Sequence, residues 1–281
     1  MSTAWITGAG GLIGSYLVRT AKAFAPQFRV LAPLRQELDL TDFPAVRSFF
    51  RAQRPSLIIH CAALSRSPDC EAQPALARKL NVEVTDLLAE LAANIKLIFF
   101  STDLVFDGCE GNYDEKARVN PLSVYSATKV AAEECVLANP RHTVIRTSLN
   151  GGVSPTGDRG FNEQLRREWA AGKTVKLFTD EFRSPTGAEV TARAVWELAG
   201  QGRTGLFHVA GRERLSRWQI GQLMAARLKN SPPMEAASLR EYAGPRRAPD
   251  TSLNCAKAQA GLSFELPAFS AWLAEQPPEA F

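Results

Sequence analysis

Continuous apolar runs alternate with helical segments through the first 150 residues of the chain. The strand-like runs read "TAWIT", "FRVLAPL", "SLIIHCAAL", "KLIFFSTDLVF" and "HTVIRTSL". Apolar runs without alternation are typical of strands that are covered on both faces, as in a parallel sheet. Strands that alternate with helices imply right-handed crossovers. The sequence therefore predicts an α/β fold built on a doubly wound parallel sheet.

The first strand runs directly into the glycine-rich stretch "TGAGGLIG", and a helical pattern follows it. Gly8, Gly11 and Gly14 are spaced as GxxGxxG, with Leu12 and Ile13 inside the motif. A dinucleotide pyrophosphate needs a tight turn, close backbone approach and free N–H groups at a helix start. Because the motif lies between the first strand and the first helix, it predicts a Rossmann dinucleotide site.

The stretch after the second strand, "VLAPLRQELDLTD", bears on the choice of cofactor. An acid at the strand end would bind the ribose 2′-OH of NAD, whereas a nearby arginine accommodates the 2′-phosphate of NADP. Here Arg35 precedes the first carboxylate, Glu37. The sequence therefore favours NADPH, with Arg35 at the phosphate and with Asp39 and Leu40 beside the adenine. NADH stays open as an alternative.

Polar residues follow the fourth strand in "FFSTDLVFDG". Ser101, Thr102 and Asp103 fall at a carboxyl end of the sheet, where open α/β folds bind ligands. Hydroxyls there can bind a carbonyl oxygen or the cofactor, and Asp103 can orient a sugar hydroxyl. The alternative is that Ser101 and Thr102 only satisfy backbone groups in the turn.

The segment "VYSATK" places Tyr125 and Lys129 four residues apart in a predicted helix, so that their side chains share a face. A nearby ammonium favours the ionised form of a phenol and is expected to lower the pKa of Tyr125. YxxxK alone also occurs as a surface contact. After GxxGxxG in an alternating α/β chain, the pair predicts a site of hydride transfer.

The loosening of the pattern after Leu149, at "NGGVSPTGDRG", suggests a boundary. We predict an NADP-binding Rossmann domain over residues 1–148, to which a helix and strand at about 188–211 return. Residues 149–187 and 212–281 are predicted to form a smaller, interleaved C-terminal substrate domain.

Composition excludes several other classes. The 33 basic and 29 acidic residues form no dense run, which argues against nucleic-acid and membrane partners. The five cysteines show no metal-ligand spacing and suggest reduced thiols in a cytoplasmic protein, with no metal site of its own. The N-terminus has no signal-peptide pattern. The absence of GxSxG disfavours a serine hydrolase.

These elements together resemble the extended short-chain dehydrogenase/reductase family, and more narrowly its dTDP-4-dehydrorhamnose reductase branch. The resemblance runs nearly from end to end and is carried by segments that include "STDLVFDG", "NPLSVYSATKVAAEE", "DEFRSPTGAE", "GLFHVAG" and "RRAPDTSLN". It implies that NADPH reduces C4 of a dTDP-4-keto-6-deoxyhexose to give dTDP-L-rhamnose. Whether Mg²⁺ assists, as in some relatives, and whether the chain forms a homodimer stay open.

The resemblance also implies roles for individual residues. Tyr125 would donate a proton to the incipient alkoxide, and Lys129 would bind the nicotinamide ribose. Thr102, with Asp103 beside it, would take the place of the carbonyl-binding hydroxyl. Cys61, Ala62 and Ala63, after the third strand, would pass beneath the cofactor.

Some positions depart from the family pattern. Leu104 and Leu149 stand where the family often has an aromatic residue and a tryptophan, and Pro68 lies in a substrate-side loop. The first two changes bear on which sugar binds. Two alternatives therefore stay open: a non-catalytic NADP-binding subunit like the regulatory subunit of methionine adenosyltransferase, and a nucleotide-sugar epimerase or dehydratase.

Overall fold

The structure, a computed structural model, describes residues 2–281. Its strands are β1 Ser2–Thr7, β2 Phe28–Leu31, β3 Leu57–His60, β4 Lys96–Thr102, β5 Thr143–Thr147, β6 Asn150–Gly151, β7 Val175–Phe178, β8 Phe182–Arg183, β9 Thr186–Gly187, β10 Gly205–His208, β11 Leu215–Ser216 and β12 Met234–Ala237. The helices are α1 Leu12–Phe24, α2 Phe43–Gln53, α3 Ser67–Ala72, α4 Pro74–Arg78, α5 Val84–Leu91, α6 Val124–Leu137, α7 Phe161–Ala170, α8 Ala188–Gly200, α9 Arg217–Ala225, α10 Ala256–Gln259 and α11 Phe269–Glu275. A π-helical turn, Lys79–Glu83, joins α4 to α5, and 3₁₀ turns occur at Asp103–Val105, Leu239–Glu241 and Pro278–Ala280.

Six of the strands form one parallel sheet in the order β10-β5-β4-β3-β1-β2. The chain reverses its direction of winding between β1 and β3. In doubly wound sheets, ligands bind at such a switch point, outside the carboxyl ends of the strands. The predicted fold class, a doubly wound parallel α/β sheet of the Rossmann type, is confirmed.

Both faces of this sheet are buried, which explains the continuous apolar runs. In β1, Ala4 and Ile6 pack on the side of α1 and α8, whereas Trp5 packs on the opposite side against Val46 and Leu88. Neighbouring residues of a strand point to opposite faces, so an uninterrupted apolar run supplies both cores.

The predicted division into two domains stays a prediction, but the elements that it concerns can be located. α8 packs against α1, and β10 lies at the edge of the main sheet beside β5. The other strands after β5 form two-stranded ladders, β6 with β9, β7 with β12 and β8 with β11. A separate apolar cluster that includes Trp169, Ile220 and Trp272 holds these later elements together.

The register of the main sheet brings the predicted site residues to one edge. Thr7 pairs with His60, and His60 pairs with Phe99 on β4. β4 continues three residues further, to Thr102, which pairs with Thr147. The ends of β1, β3, β4 and β5 therefore open onto the same space.

Candidate active site

The glycine turn is built so tightly that side chains would not fit at two of its positions. Gly8 has a φ of +72°, and a Cβ there would lie 2.6 Å from the backbone nitrogen of Ala62. A Cβ on Gly14 would lie 2.3 Å from the carbonyl oxygen of Gly8. Gly11 is the N-cap of α1, and no side chain caps the first turn of that helix. The turn therefore leaves helix N–H groups free for an anion, as a pyrophosphate requires.

A second feature of this edge also fits a bound dinucleotide. Ser101 is 5% exposed, and its Oγ has no hydrogen-bond partner among residues 2–281. A buried hydroxyl without a partner costs free energy unless a ligand or water satisfies it. Ala62 and Ala63 follow β3 directly, and the chain at Cys61 and Ala62 passes against Gly8. The structure thus brings together the glycine turn and the segment predicted to lie beneath the cofactor.

The stretch predicted to bind the adenosine half lies after β2. The Arg35 side chain is 79% exposed, and its Nε lies 3.7 Å from an Asp39 oxygen. The pKa of Asp39 is lowered, first because its carboxylate accepts hydrogen bonds from the backbone and side chain of Thr41. Leu40 packs partly into the core. A cavity of about 490 Å³ beside the glycine turn is lined by Ala9, Ser15, Val18, Arg19, Ala32, Leu34, Glu37, Val153, Ser154 and Pro155.

Thr102 and Asp103 lie where β4 ends. The hydroxyl of Thr102 accepts the N–H of Leu104 at 3.2 Å and donates to Asp103 Oδ1 at 3.1 Å. Asp103 is 4% exposed. Its other oxygen accepts the hydroxyls of Ser148 at 2.6 Å and Thr251 at 3.0 Å. The carboxylate predicted to orient a sugar hydroxyl is thus bonded within the protein.

The helix with the predicted tyrosine and lysine begins as the sequence indicated. Ser123 caps α6: its side chain accepts the Ser126 N–H at 3.2 Å, and the Ser126 hydroxyl accepts the Ser123 N–H at 3.1 Å. This reciprocal cap fixes the first turn of the helix. The half-buried side chain of Tyr125 therefore has a defined place, one residue after the helix begins.

The expected lowering of the Tyr125 pKa by Lys129 is not found. Burial of the phenol raises the pKa of Tyr125 above its ordinary value, and the negative charge of Asp103 raises it further. The neighbouring Thr102 hydroxyl lowers the pKa of Tyr125 and so acts in the opposite direction. Desolvation disfavours the charged form of an acid, and here this effect exceeds the others. The phenol is consequently held in its protonated form.

Lys129 is 3% exposed, and its ammonium has two contacts within the protein. Nζ donates to the carbonyl oxygen of Phe100 at 2.6 Å and lies 3.9 Å from the centroid of the Phe99 ring. Burial lowers the pKa of Lys129 to about 7, although the carboxylate of Glu133 acts against this shift. Its charge is therefore sensitive to any ligand bound beside it.

Two buried polar contacts hold α6 against the sheet and the neighbouring helices. Glu133, one turn after Lys129, forms a two-point ion pair with Arg146 of β5, with distances of 2.9 and 2.6 Å. Paired Arg–carboxylate bonds of this kind fix orientation as well as distance. The second contact comes from Asn81, which donates to the Thr128 hydroxyl at 3.0 Å and also bonds to the backbone of Leu64.

Asn81 was missed in the sequence, as were Ser148, Arg183 and Thr251 around Asp103. A signal existed for the last three, because they lie in or beside the family segments "VIRTS", "DEFRSPTGAE" and "RRAPDTSLN". Asn81 lies in the π-helical turn, a feature often found at functional sites and invisible to periodicity.

Comparison with known proteins agrees with this geometry. The family model "RmlD substrate binding domain" matches residues 2–277. The chain belongs to this family. The prediction of an extended short-chain dehydrogenase/reductase of the dTDP-4-dehydrorhamnose reductase branch is thereby confirmed, together with its class, an oxidoreductase that acts on nucleotide sugars.

Individual known proteins are similar over most of the chain. A probable low-salt glycan biosynthesis reductase of Haloferax volcanii is 34% identical over 236 residues, which cover 78% of each protein. Methionine adenosyltransferase 2 subunit beta of Xenopus laevis is 30% identical and is matched over 79% of this chain and 71% of its own. The solved dTDP-4-dehydrorhamnose reductase of Bacillus anthracis, in complex with NADP, shares the fold with a TM-score of 0.88, at 23% identity over 98% of each chain.

Two further observations concern metal sites and membrane-spanning helices. Among residues 2–281, no three histidine, cysteine, aspartate or glutamate side chains gather as a metal ion would require. None of the helices in that range is both long and apolar enough to cross a bilayer.

Proposed function

We propose that the chain is an NADPH-dependent reductase of a nucleotide-linked 4-keto-6-deoxy sugar, of the dTDP-4-dehydrorhamnose reductase type. The observation that carries this proposal is the packing of α6, with Tyr125 and Lys129, against β4, which ends at Thr102 on the sheet edge onto which the glycine turn opens. A ketone reductase needs a proton donor beside the nicotinamide, and a tyrosine phenol at this edge can fill that role.

The residues divide the chemistry as follows. NADPH, when bound, supplies a hydride to the carbonyl carbon of the sugar. Tyr125 gives its phenolic proton to the carbonyl oxygen, so that the C=O bond becomes CH–OH. Thr102 holds the phenol in place, and Lys129 binds the ribose and returns a proton from solvent to the tyrosine. The Gly8–Gly14 turn holds the pyrophosphate.

The test of this function is a panel of nucleotide 4-keto sugars, mixed in turn with NADPH and with NADH. Loss of the absorbance of the reduced nicotinamide reports turnover. We expect turnover with a dTDP-4-keto-6-deoxyhexose. The rate of turnover should be higher with NADPH than with NADH. If no member of the panel is reduced while NADPH still binds, the reductase proposal fails.

That failure would favour a second candidate, a non-catalytic NADP-binding subunit. The methionine adenosyltransferase relative and the aliphatic residues at Leu104 and Leu149 support this candidate, because a sugar pocket of the reductase branch often has aromatic residues at both positions. An epimerase or dehydratase, the third candidate, would hold NAD tightly and regenerate it, so that no net nicotinamide absorbance is lost.

The cofactor preference yields a prediction for Arg35. Arg35→Ala should raise the KM for NADPH by at least about tenfold and leave the KM for NADH unchanged, since a charge-assisted contact to phosphate is worth about 1.5–3 kcal/mol. Arg29→Ala is the matched control, because Arg29 is exposed on β2 at the strand's other end. Equal effects of Arg35→Ala on both cofactors would contradict the assignment.

A further inference from the structure

A loop from the second half of the chain lies against the helix that follows the glycine turn. The loop, residues 152–160, connects β6 to α7. The hydroxyl of Tyr16 in α1 accepts the N–H of Val153 at 3.2 Å, and Arg19 donates to the carbonyl oxygen of Val153 at 3.1 Å. Near the other end of the loop, a Cβ built on Gly160 would lie 3.3 Å from Cδ2 of Leu12, the first residue of α1. Both ends of the loop therefore lie beside the helix that the glycine turn opens.

The same loop forms one wall of the cavity of about 490 Å³ beside the glycine turn. Ala9 of the turn lines one side of this cavity, and Leu34 and Glu37 line another, from the stretch after β2. Residues 153–155 of the loop complete the lining together with α1. Small-molecule sites in proteins typically have volumes of about 300–1,000 Å³. The cavity thus has the size of a ligand site, and it lies between the two segments at which a dinucleotide is expected to place its pyrophosphate and its adenosine half.

Apolar side chains gather around this cavity without being covered by the fold. Val18, Leu34 and Val153 line it and are 36%, 40% and 37% exposed. They come from α1, from the stretch after β2 and from the loop, so three segments that are distant in the chain bring apolar surface to one place. Apolar side chains around a concave site are typical of a ligand-binding surface. An aromatic ligand group, such as an adenine ring, would remove them from water.

One buried carboxylate holds the loop in this place. Glu163, in the first turn of α7, is 7% exposed. Its Oε1 accepts the N–H of Ser154 at 2.7 Å, and its Oε2 accepts the N–H groups of Arg159 at 2.9 Å and Gly160 at 2.7 Å. The hydroxyl of Ser154 also donates to Oε2, at 2.8 Å. Hydrogen bonds to an ionised carboxylate are stronger than those between neutral groups. Both ends of the loop therefore depend on a single side chain.

We propose that the loop 152–160 is a wall of the cofactor site that covers the adenosine half of NADPH, and that Glu163 is the positioning residue that holds the loop there. A loop that is already fixed in its bound position loses less conformational entropy when the ligand arrives, so Glu163 increases the affinity for the cofactor. The inference rests on the proposed function only in that NADPH must bind at the glycine turn. It does not depend on which sugar is reduced.

The variant Glu163→Gln tests the carboxylate while it nearly preserves the shape of the side chain. An amide nitrogen in place of one oxygen cannot accept the N–H groups that Glu163 now binds. The Kd for NADPH, measured without any sugar by the fluorescence of the bound cofactor, should rise about tenfold. The KM for NADPH should rise with it. The kcat at saturating NADPH should stay nearly the same, because the loop holds the cofactor and not the reacting atoms.

Glu168→Gln is the matched control, because Glu168 lies on the same helix but is exposed and pairs with Lys173 at 2.8 Å. This variant should bind NADPH as the wild type does. If Glu163 served only the stability of the fold, Glu163→Gln would melt at lower temperature and its folded form would bind NADPH with the wild-type Kd. That result would overturn the proposal.

A second variant covers the case in which Glu163→Gln does not fold. Tyr16→Phe removes the acceptor of the Val153 N–H and keeps the aromatic ring on which Arg19 lies, 4.0 Å from its centroid. With one neutral hydrogen bond lost, the Kd for NADPH should rise about threefold. An unchanged Kd in this variant would also count against the loop as a wall of the site.

Limited digestion with trypsin tests the position of the loop directly. Arg159 is an exposed trypsin site within the loop, and Arg246 is an exposed site in a distant segment. NADPH should slow cleavage after Arg159 in the wild type and leave cleavage after Arg246 unchanged, since cleavage needs a mobile segment. Cleavage after Arg159 should be faster in Glu163→Gln. If NADPH binds and leaves cleavage after Arg159 unchanged, the proposal is overturned.

These measurements separate the proposal from the proposed function, because neither uses a sugar. If NADPH binds and protects Arg159 but no sugar is reduced, the reductase fails and the assignment of the loop stands. If sugars are reduced but Glu163→Gln binds NADPH like the wild type, the assignment of the loop fails and the reductase stands. A wild-type protein that does not bind NADPH would overturn both.

Discussion

Replacement of Tyr125 by phenylalanine is expected to lower kcat for reduction by about 10²–10⁴-fold, the usual contribution of a positioned acid or base. The aromatic ring stays and keeps its packing, but the proton that the alkoxide needs is gone. Binding of NADPH should be nearly unchanged, because the glycine turn and Lys129 are intact. A stopped assay of turnover measures the fall in kcat. The fluorescence of bound NADPH measures whether cofactor binding is unchanged.

Tyr113→Phe is the matched control for this experiment. Tyr113 is buried in a separate apolar cluster from those that hold β1 and β3, and it donates its hydroxyl to Asp107 at 3.0 Å. Its loss should lower the free energy of unfolding by about 1 kcal/mol and change kcat only slightly. Retained turnover in Tyr125→Phe would contradict the proposed mechanism.

Substitution of Gly14 by alanine should abolish cofactor binding and lower the stability of the fold. The new Cβ would lie 2.3 Å from the Gly8 oxygen, 2.7 Å from its carbonyl carbon and 3.0 Å from the Ala9 Cα. These are backbone atoms of the turn that would hold the pyrophosphate, so the clash can be relieved only by opening the turn. We expect the Kd for NADPH to rise more than 100-fold, roughly 3 kcal/mol of binding free energy.

Gly200→Ala provides the comparison, since Gly200 also lies in a helix. A Cβ there would meet only the Gln27 side chain, at 3.9 Å. This exchange should stabilise the protein by about 0.4–1 kcal/mol, because alanine reduces the conformational entropy of the unfolded chain. It should leave NADPH binding unchanged. Similar Kd values for the Gly14 and Gly200 variants would rule out the proposed pyrophosphate site.

Local pattern was sufficient to predict most of the elements that carry the site. The helices Leu12–Phe24, Phe43–Gln53 and Val124–Leu137 have the bounds that apolar spacing indicates. Each begins or ends at a local signal, such as the cap at Ser123 or the proline at the start of α2. The order of strands and helices was also sufficient to predict the doubly wound fold class. Periodicity and the order of elements can both be read directly from the sequence.

The remaining features depend on contacts between distant residues. The apolar spacing of "PALARKLNVEVTDLLAELAANI" is that of one long helix, but the structure interrupts it with the π-helical turn at Lys79–Glu83, where Asn81 bonds to Leu64 and Thr128. No periodicity reports such a bond. The predicted direction of the Tyr125 pKa shift was wrong for a similar reason. A sequence shows the neighbouring lysine, but it shows neither the burial of the phenol nor that the charge of Asp103 lies near it.

The sequence also predicts the two-stranded ladders after β5 only in part. β12, at Met234–Ala237, pairs with β7 about sixty positions earlier in the chain, and the sequence there reads as a Pro-rich connection. Two-residue strands such as β8 and β11 exist because their partners are brought together by the rest of the fold. Their positions follow from tertiary packing rather than from composition.

The segment around Thr251 has a consequence for the newly made protein. It is threaded between the turn at Gly108 and strand β8, where Asp250 donates its N–H to Gly108 at 3.2 Å and Thr251 donates its N–H to Phe182 at 3.2 Å. Chains fold from the N-terminus as they leave the ribosome. The glycine turn and the tyrosine helix are therefore synthesised before Arg183 and Thr251, which complete the contacts of Asp103. The end of β4 can reach its final geometry only after residue 251 has been added and has docked.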